Sequence, residues 1–204
     1  MGLVKISEIP VHDDAERQGA PSPVASISAN GAPHFVVGIH GADLEQVIPA
    51  LVPDRHIPAV SLGHWSLHEM LAFLLSRIGP AECWLTSWGI STKPVQALMD
   101  MVRDKRITQL NALFDHRVRL QCPEAFQLLL DLSGNKRVDI RLTKIHAKVI
   151  VLRNANHQVT LYSSANLTTN RRIESYAIDT WASVADFNRT WIDQVRIDAK
   201  LFNA

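Results

Sequence analysis

The chain has 204 residues, of which 47% are hydrophobic and 20% are charged, and its formal net charge is +1. This composition is typical of a globular protein with a sizeable core, and a net charge this small indicates no class of partner by itself. Two cysteines exclude a disulfide framework, and the chain has no apolar run of transmembrane length and no signal-peptide core near its first residue, so we expect no membrane association and a cytoplasmic location.

The first third of the chain gives weak structural signals. Residues 1 to about 33 are rich in Pro, Ser, Ala and Gly, which predicts an irregular arm, in part disordered, that could wrap a partner subunit. A short strand is predicted at His34–Ile39 and a short helix at Ala42–Leu51. We therefore divide the chain into an N-terminal extension, residues 1–60, and a main domain, residues 61–204.

The main domain begins with a helix and then alternates between strands and helices. Ser66 and Glu69 have the spacing of a capping box, and Gly79-Pro80 ends the apolar helical pattern that follows. The predicted elements after it are strand Cys83–Trp88, helix Pro94–Arg103, strand Ile107–Phe114, helix Pro123–Leu132, strand Val138–Leu142 and a C-terminal amphipathic helix from Val184 to Val195. Because a run of strands precedes that last helix, the pattern predicts an α/β fold with a mixed sheet flanked by helices on both faces.

The stretch with the most chemistry begins with a predicted strand, Ile145–Leu152, of sequence IHAKVIVL. Side chains two apart on a strand share a face, so His146 and Lys148 should point the same way. A polar turn at Asn154–His157 and a returning strand at Gln158–Ser163 complete a hairpin.

Two further polar side chains follow that hairpin. The returning strand brings Asn166 back toward the histidine. A third apolar run, Ile173–Ile178, places Glu174 alongside. Histidine, lysine, asparagine and glutamate are therefore expected to converge at one edge of the sheet.

This set of residues resembles the motif of the phospholipase D superfamily, which is His-x-Lys, a Gly/Ser-Ser-x-Asn turn and then a glutamate. Here the motif is His146-Ala-Lys148, then Ser163-Ser164-Ala-Asn166, then Glu174. The resemblance covers about residues 81–204 and implies a phospholipase D-like fold.

Two positions differ from the family pattern. Arg153 stands where many members have an aspartate five residues after the lysine, and Ser163 stands where the turn usually opens with glycine. Metal-independent nuclease members are similar in lacking that aspartate. The departure therefore favours a nuclease over a lipase.

The resemblance also implies a role for each residue of the motif. His146 is expected to attack phosphorus and form a phosphohistidine, and Glu174 is expected to orient its imidazole. Lys148 and Asn166 would stabilise the phosphoryl oxygens, and Ser164 would add a hydrogen bond. No metal or other cofactor is expected, since these groups supply the charge that a metal often provides.

The number of motifs implies an assembly. The mechanism needs a second histidine to protonate the leaving group, and the chain contains a single His-x-Lys motif. The second histidine should therefore come from a twofold-related subunit, which predicts a homodimer with one shared site.

A basic run surrounds the motif: residues 136 to 172 contain eight Lys or Arg and one acid, Asp139. This excess suits a polyanion. The resemblance to nuclease members implies a nucleic-acid substrate, with DNA a better candidate than RNA. The predicted nucleic-acid-binding residues outside the catalytic set are Lys136, Arg137, Arg141, Lys144, Arg153, Arg171 and Arg172.

Trp88, at a predicted strand end, is the tryptophan best placed to stack a base, although core packing is the commoner role of such residues.

Three alternatives stay open at this point. One is a lipid-directed phosphodiesterase or phosphatidyltransferase, and another is a nucleic-acid-binding module that retains the fold without catalysis. The third is purely structural: a surface strand with Glu174 paired to Arg171 or Arg172.

Overall fold

A computed structural model describes residues 36–37, 44–169 and 172–201 of the chain. The strands in these ranges are β1 Val36–Val37, β2 His56–Val60, β3 Ala81–Ser87, β4 Ile107–Asp115, β5 Val138–Thr143, β6 Val149–Arg153, β7 Gln158–Ser163, β8 Ser175–Asp179 and β9 Lys200–Leu201. The helices are α1 Leu44–Val47, α2 Leu67–Ile78, α3 Thr92–Arg103, α4 Val118–Gln121, α5 Pro123–Ser133 and α6 Ala182–Asp198.

All the described strands belong to one mixed sheet in the order β1-β2-β8-β7-β6-β3-β4-β5-β9. Strands β3, β4 and β5 run parallel to one another, as expected for strands connected through helices. Strands β6, β7 and β8 form an antiparallel meander that joins β3 on one side and β2 on the other. The predicted α/β architecture with a mixed sheet is confirmed.

Helices cover both faces of this sheet, as predicted. On β3, Cys83 and Leu85 contribute to the larger core, which also contains buried side chains of α2, α3 and α5. Between them, Trp84 points to the opposite face, where it packs with Ala185 and Ile192 of α6. Its indole N–H donates a 2.9 Å hydrogen bond to Asp193, so α6 is held by both packing and a polar contact.

The predicted capping box is present at the start of α2. The backbone N–H of Ser66 donates to Glu69 Oε2 at 2.8 Å, and the Ser66 hydroxyl donates to the same oxygen at 2.6 Å. The backbone N–H of Gly79 donates to the Leu75 carbonyl at the other end, where the φ of Gly79 is 81°. Glycine adopts that left-handed conformation without the strain that a side chain would cause.

Part of the segment assigned to the N-terminal extension contributes to this sheet. β2, at His56–Val60, pairs antiparallel with β8 from His56↔Asp179 to Val60↔Ser175. The predicted helix near residue 44 is four residues long, with Leu44 and Val47 buried. Most of the extension, including the predicted irregular arm, lies outside the described residues, so the division of the chain at residue 60 stays a prediction.

The predicted strand Ile145–Leu152 begins later than expected, at Val149. The ladder between β3 and β6 stops at the pair Thr86↔Val149, next to the end of β3, so residues 145–148 are not part of it. Their backbone is held by side chains and a single strand contact instead: the Ile145 N–H donates to Asp115 Oδ2, the Thr86 hydroxyl donates to the Ala147 carbonyl, and the Ser163 N–H donates to the Lys148 carbonyl. His146 and Lys148 therefore lie on an irregular segment that enters β6, and their shared direction does not come from a strand.

Candidate active site

The polar residues of the motif lie at one edge of the sheet. The carboxyl ends of β2, β3, β4, β5 and β7 meet the amino ends of β6 and β8 there, as the strand registers show. The predicted catalytic residues lie in segments that begin or end at this edge: His146, Lys148, Ser164, Asn166 and Glu174. The convergence expected from the sequence is therefore present, while the catalytic role of each residue stays a prediction.

His146 and Lys148 are in direct contact. The Lys148 ammonium lies 3.2 Å from Nδ1 and 3.2 Å from Nε2 of the imidazole. Since an ammonium has donors alone, a ring nitrogen of His146 accepts, and the tautomer decides which one. The imidazole is exposed, whereas the Lys148 residue is 9% exposed.

Burial lowers the pKa of Lys148 below its usual value, and the negative charge of Glu174 offsets part of that lowering. The lysine is therefore a cation taken partly out of water, with a carboxylate close enough to act on it. In such surroundings an ammonium interacts more strongly with a phosphoryl oxygen than it would on an open surface.

Glu174 and Ser164 form the second pair of the site. The Ser164 hydroxyl donates to the Glu174 carboxylate, and it accepts the backbone N–H of Ser175 at 3.0 Å. On the other side, Ser61 accepts the Glu174 N–H on its hydroxyl at 3.2 Å and donates its own N–H to the Glu174 carbonyl at 2.9 Å. The loops after β2 and β7 thus fix the backbone and carboxylate of Glu174 together.

Asn166 has an unusual environment. Its buried Oδ1 has no hydrogen-bond partner among the described residues, and its amide packs against Gly89. The neighbouring backbone is tightly held, since the Leu167 N–H donates to Ser87 Oγ at 2.9 Å and the Ser91 N–H donates to the Leu167 carbonyl at 3.0 Å. An unpaired buried polar atom costs about 1–3 kcal/mol.

The contacts of Trp88, Arg117 and Asp115 around the His146 segment were not predicted from the sequence. The Trp88 ring lies 5.5 Å from the imidazole, centroid to centroid, and Arg117 Cζ lies 5.0 Å from the centroid of the Trp88 ring. Asp115, a buried residue, accepts Arg117 Nε at 2.6 Å and Nη2 at 3.2 Å. The same carboxylate accepts the Ile145 N–H, so it connects the guanidinium to the segment that carries His146.

A signal for this support was present in the sequence. Asp115, His116 and Arg117 directly follow the apolar strand pattern of β4. Because β3, β4 and β5 are parallel, the polar residues that follow them meet at one edge of the sheet. The rule that polar residues after parallel strands form a site would have selected them.

Replacing Asp115 with asparagine is expected to destabilise the fold by about 1–3 kcal/mol, since buried hydrogen bonds to a carboxylate are weakened or lost. Burial alone raises the pKa of Asp115, but hydrogen bonds from Arg117 and Ile145 outweigh it and hold the pKa below the usual range. The carboxylate therefore contributes stability above its unfolded pKa, and this contribution is lost as the pH falls through its lower folded pKa. Urea unfolding between pH 2 and pH 7 should show a smaller acid-dependent loss for Asp115→Asn than for wild type; equal losses would contradict this role.

The predicted basic residues are not gathered around the site. Lys136 and Arg137 precede β5, and Arg153 ends β6, so these three lie at the opposite edge of the sheet. Arg141 lies along β5 and is paired with Asp139 at 2.9 Å. Lys144 and Arg172 lie at the site edge and are exposed, and Arg171 lies outside the described residues. Nucleic-acid binding by these residues stays a prediction.

Other kinds of site have little support in the described ranges. No group of three or more His, Cys, Asp or Glu residues there is arranged to hold a metal ion. His68, which follows His64 by four residues, has its Nδ1 within 2.7 Å of Ser66 Oγ in the capping box. No helix in the described part of the chain has the length and hydrophobicity needed to cross a bilayer.

The fold is that of the phospholipase D family, as the resemblance implied. The structure is similar to a phospholipase D family member, Nuc from Salmonella typhimurium, with a TM-score of 0.53 and 13% identity over 71% of this chain and 97% of that one. NucT from Helicobacter pylori is similar with a TM-score of 0.55 and 11% identity, covering 72% of this chain and 99% of that one.

A third similar structure is TrmBL2, an archaeal chromatin protein described as having a novel mode of DNA binding. Its TM-score is 0.53 at 11% identity, and the alignment covers 76% of this chain and 56% of TrmBL2. No protein-family model matches the sequence, and no curated protein matches it. At these identities the likeness establishes the fold, and function has to be argued from the site.

Proposed function

We propose that the protein is a metal-independent phosphodiesterase, a nuclease that cleaves DNA in preference to RNA through a phosphohistidine intermediate. The observation that carries the proposal is the contact of the Lys148 ammonium with both ring nitrogens of His146, 3.2 Å from each, at the sheet edge that also holds Asn166 and Glu174. A nucleophilic imidazole beside a desolvated cation is the pairing that attack on an anionic phosphodiester requires.

The reaction has two steps. An imidazole nitrogen of His146 attacks phosphorus, and the bond from phosphorus to the leaving oxygen breaks while a second histidine donates a proton to that oxygen. Water, activated by the same second histidine, then attacks the phosphohistidine and restores the imidazole. Lys148 and Asn166 face the phosphoryl oxygens in both steps, and the Glu174–Ser164 pair orients the site.

The second histidine in this proposal is His146 of a twofold-related subunit, so that the working enzyme is a homodimer with one shared site. His146 is exposed at the sheet edge, which leaves its outer side accessible to a second chain. Ile173, beside Glu174, is a large apolar side chain that is 70% exposed, as expected for a residue that a partner subunit covers.

A nucleic-acid-binding module without catalysis is the second candidate. The similarity to TrmBL2 favours it, since that protein is described by its mode of DNA binding.

One assay distinguishes the nuclease from the binding module. Purified protein is incubated with single- and double-stranded DNA, RNA and phospholipid vesicles in excess EDTA; phosphodiester cleavage of nucleic acid supports the nuclease, and retention without cleavage supports the binding module.

The salt dependence of binding should identify the side of the protein that follows the phosphate backbone. We expect affinity for DNA to fall steeply as salt rises, because each neutralised phosphate releases counterions. The double variant Lys144→Gln/Arg172→Gln, at the site edge, should flatten the slope of log affinity against log salt by up to about two units.

The matched variant is Lys136→Gln/Arg153→Gln, which removes the same charge at the opposite edge. It should change the slope less, as measured by fluorescence anisotropy with a labelled duplex between 50 and 300 mM salt. An equal change in both variants would place the nucleic acid along a path that includes both edges, and a salt-insensitive affinity would contradict a polyanionic substrate.

A further inference from the structure

A concave pocket opens directly beside His146, and its other lining residues lie outside the motif. It has a volume of about 410 Å³ and is lined by Asp115, His116, Arg117, Lys144, Ile145 and His146. Arg117 and Lys144 are cations, and the imidazoles of His116 and His146 can donate hydrogen bonds. Asp115 is the one carboxylate in the lining, so the charge of the pocket depends on what that carboxylate faces.

The Asp115 carboxylate is compensated by its own neighbours. Its side chain is 2% exposed, and it accepts two bonds from the Arg117 side chain, one from the Arg117 backbone N–H at 3.0 Å and one from the Ile145 N–H. The negative charge therefore lies behind the guanidinium, and it offers little repulsion to an anion that enters from solvent. Lys144, which is exposed, adds a positive charge to the lining.

Arg117 is held in place before any ligand arrives. The pairing with Asp115 uses Nε and Nη2, while the Trp88 ring supports the guanidinium through a cation–π contact at 5.0 Å. Nη1 is not part of that pairing, and the Arg117 side chain is 47% exposed. A guanidinium fixed in this way loses little conformational entropy when it binds an oxyanion, and its planar donors suit phosphate geometry.

His116 adds a second group to the same wall. Its Nδ1 is buried, has no hydrogen-bond partner among the described residues and lies 3.7 Å from Asp115 Oδ1. Its backbone N–H donates to the Thr143 carbonyl at 3.0 Å, which ties the end of β4 to the end of β5. His116 and Lys144 follow the adjacent parallel strands β4 and β5, and both line the pocket.

We propose that this pocket is a subsite for a second phosphate, the internucleotide phosphate next to the one that His146 attacks. Arg117 and Lys144 bind its oxygens, and His116 adds a donor. This inference rests on the proposed nuclease function. It implies that the enzyme prefers strands with at least two consecutive phosphates over an isolated phosphodiester.

The test compares two substrates that differ by one phosphate, the thymidine dinucleotide TpT and the trinucleotide TpTpT. For wild type, kcat/KM should be about 10- to 100-fold higher for TpTpT, the range expected of charge-assisted hydrogen bonds to one phosphate. In Arg117→Gln and in Lys144→Gln this preference should fall toward one. Lys105→Gln, in the turn before β4 at the opposite edge, removes the same charge and should retain the preference.

Lys144→Gln is the more reliable of the two variants, since Lys144 is exposed, whereas loss of Arg117 leaves Asp115 without its main partner. Thermal unfolding of each variant checks that it is folded. An unchanged preference in folded Lys144→Gln and Arg117→Gln would overturn the subsite while leaving the nuclease proposal intact.

The same two oligonucleotides are also compared in a binding assay with His146→Ala protein, which needs no turnover. If wild type cleaves neither substrate, yet TpTpT binds more tightly than TpT and Lys144→Gln removes the difference, the nuclease proposal fails. The pocket then remains a binding site for a second phosphate. Equal binding of TpT and TpTpT would overturn the subsite whatever the catalytic result.

Discussion

Replacing His146 with alanine is expected to reduce DNA cleavage by about 10⁴-fold or more, which is the scale of loss when a covalent nucleophile is removed. The rest of the site should survive, because Lys148 is held by packing and by the Ser163 N–H that donates to its carbonyl. DNA binding should therefore persist at close to the wild-type affinity. Cleavage is measured by release of labelled product from a supercoiled plasmid and from a single strand, and binding is measured by anisotropy.

His157→Ala is the matched control for this substitution. His157 lies in the turn between β6 and β7, at the opposite edge of the sheet from His146, where its backbone N–H donates to Asn154 Oδ1. The control variant should cleave at the wild-type rate. If His146→Ala retains more than about a tenth of wild-type activity, His146 is not the nucleophile.

Excess EDTA tests whether cleavage is independent of a metal ion. Lys148 and Asn166 are proposed to supply the stabilisation of the phosphoryl oxygens, so wild-type cleavage should continue at an unchanged rate with chelator present. A strict requirement for Mg²⁺ that EDTA removes and added metal restores would point to a metal-assisted mechanism instead. A sample of wild type denatured with detergent at alkaline pH, where a phosphohistidine is stable, and prepared with uniformly labelled DNA should also contain label bound to protein. His146→Ala should contain none.

The fold could be predicted in most of its elements because its signals are local. The capping box at Ser66, the Gly79-Pro80 stop and the proline at the start of α5 are all set by a few neighbouring residues. The β6–β7 hairpin followed from a polar turn between two apolar runs. These features depend on backbone hydrogen bonds within a short stretch of chain, which is what sequence patterns report.

The exceptions depended on distant parts of the chain. The apolar run from Ile145 predicts a strand, yet β6 begins at Val149 because β3 ends near the residue opposite it. The composition of residues 56–60, with a proline in the middle, gave no sign of β2, which exists because β8 has an unpaired edge for it to join. Propensity describes each segment by itself, whereas strand limits are set by the partner strand.

The candidate site, like the fold, could be predicted from the sequence only in part. The spacing of His146, Lys148, Asn166 and Glu174 was sufficient to predict that they share one edge. Spacing could not show that Arg153 and Lys136 lie at the other edge, since their positions depend on which end of a strand each one occupies. Nor could it show the link from Asp115 through Arg117 to Trp88, whose members come from two different strands.

The second prediction with a large effect concerns the shared site. A twofold axis between two copies of His146 supplies both the attacking group and the leaving-group acid, and it requires every contact across it to be made twice. We therefore expect a homodimer whose interface includes the strand ends that carry His146, Asn166 and Glu174. Sedimentation at micromolar concentration should show a dimer, and substitution of the exposed Ile173 by aspartate should shift it toward monomer with a parallel loss of cleavage.

Mixing inactive His146→Ala chains with wild-type chains distinguishes a shared site from two independent ones, once subunit exchange is verified with differently labelled chains. In a shared site a heterodimer has one histidine and is severely impaired, so equal mixing with random pairing leaves about a quarter of the activity of the same total concentration of wild type. Independent sites leave about half. Mixing wild type with His157→Ala should leave the activity unchanged, which controls for exchange itself. A stable monomer that cleaves DNA at the full rate would exclude the shared site, and the leaving-group acid would then have to be a histidine of the same chain, with His116 in the adjoining pocket the first to be replaced.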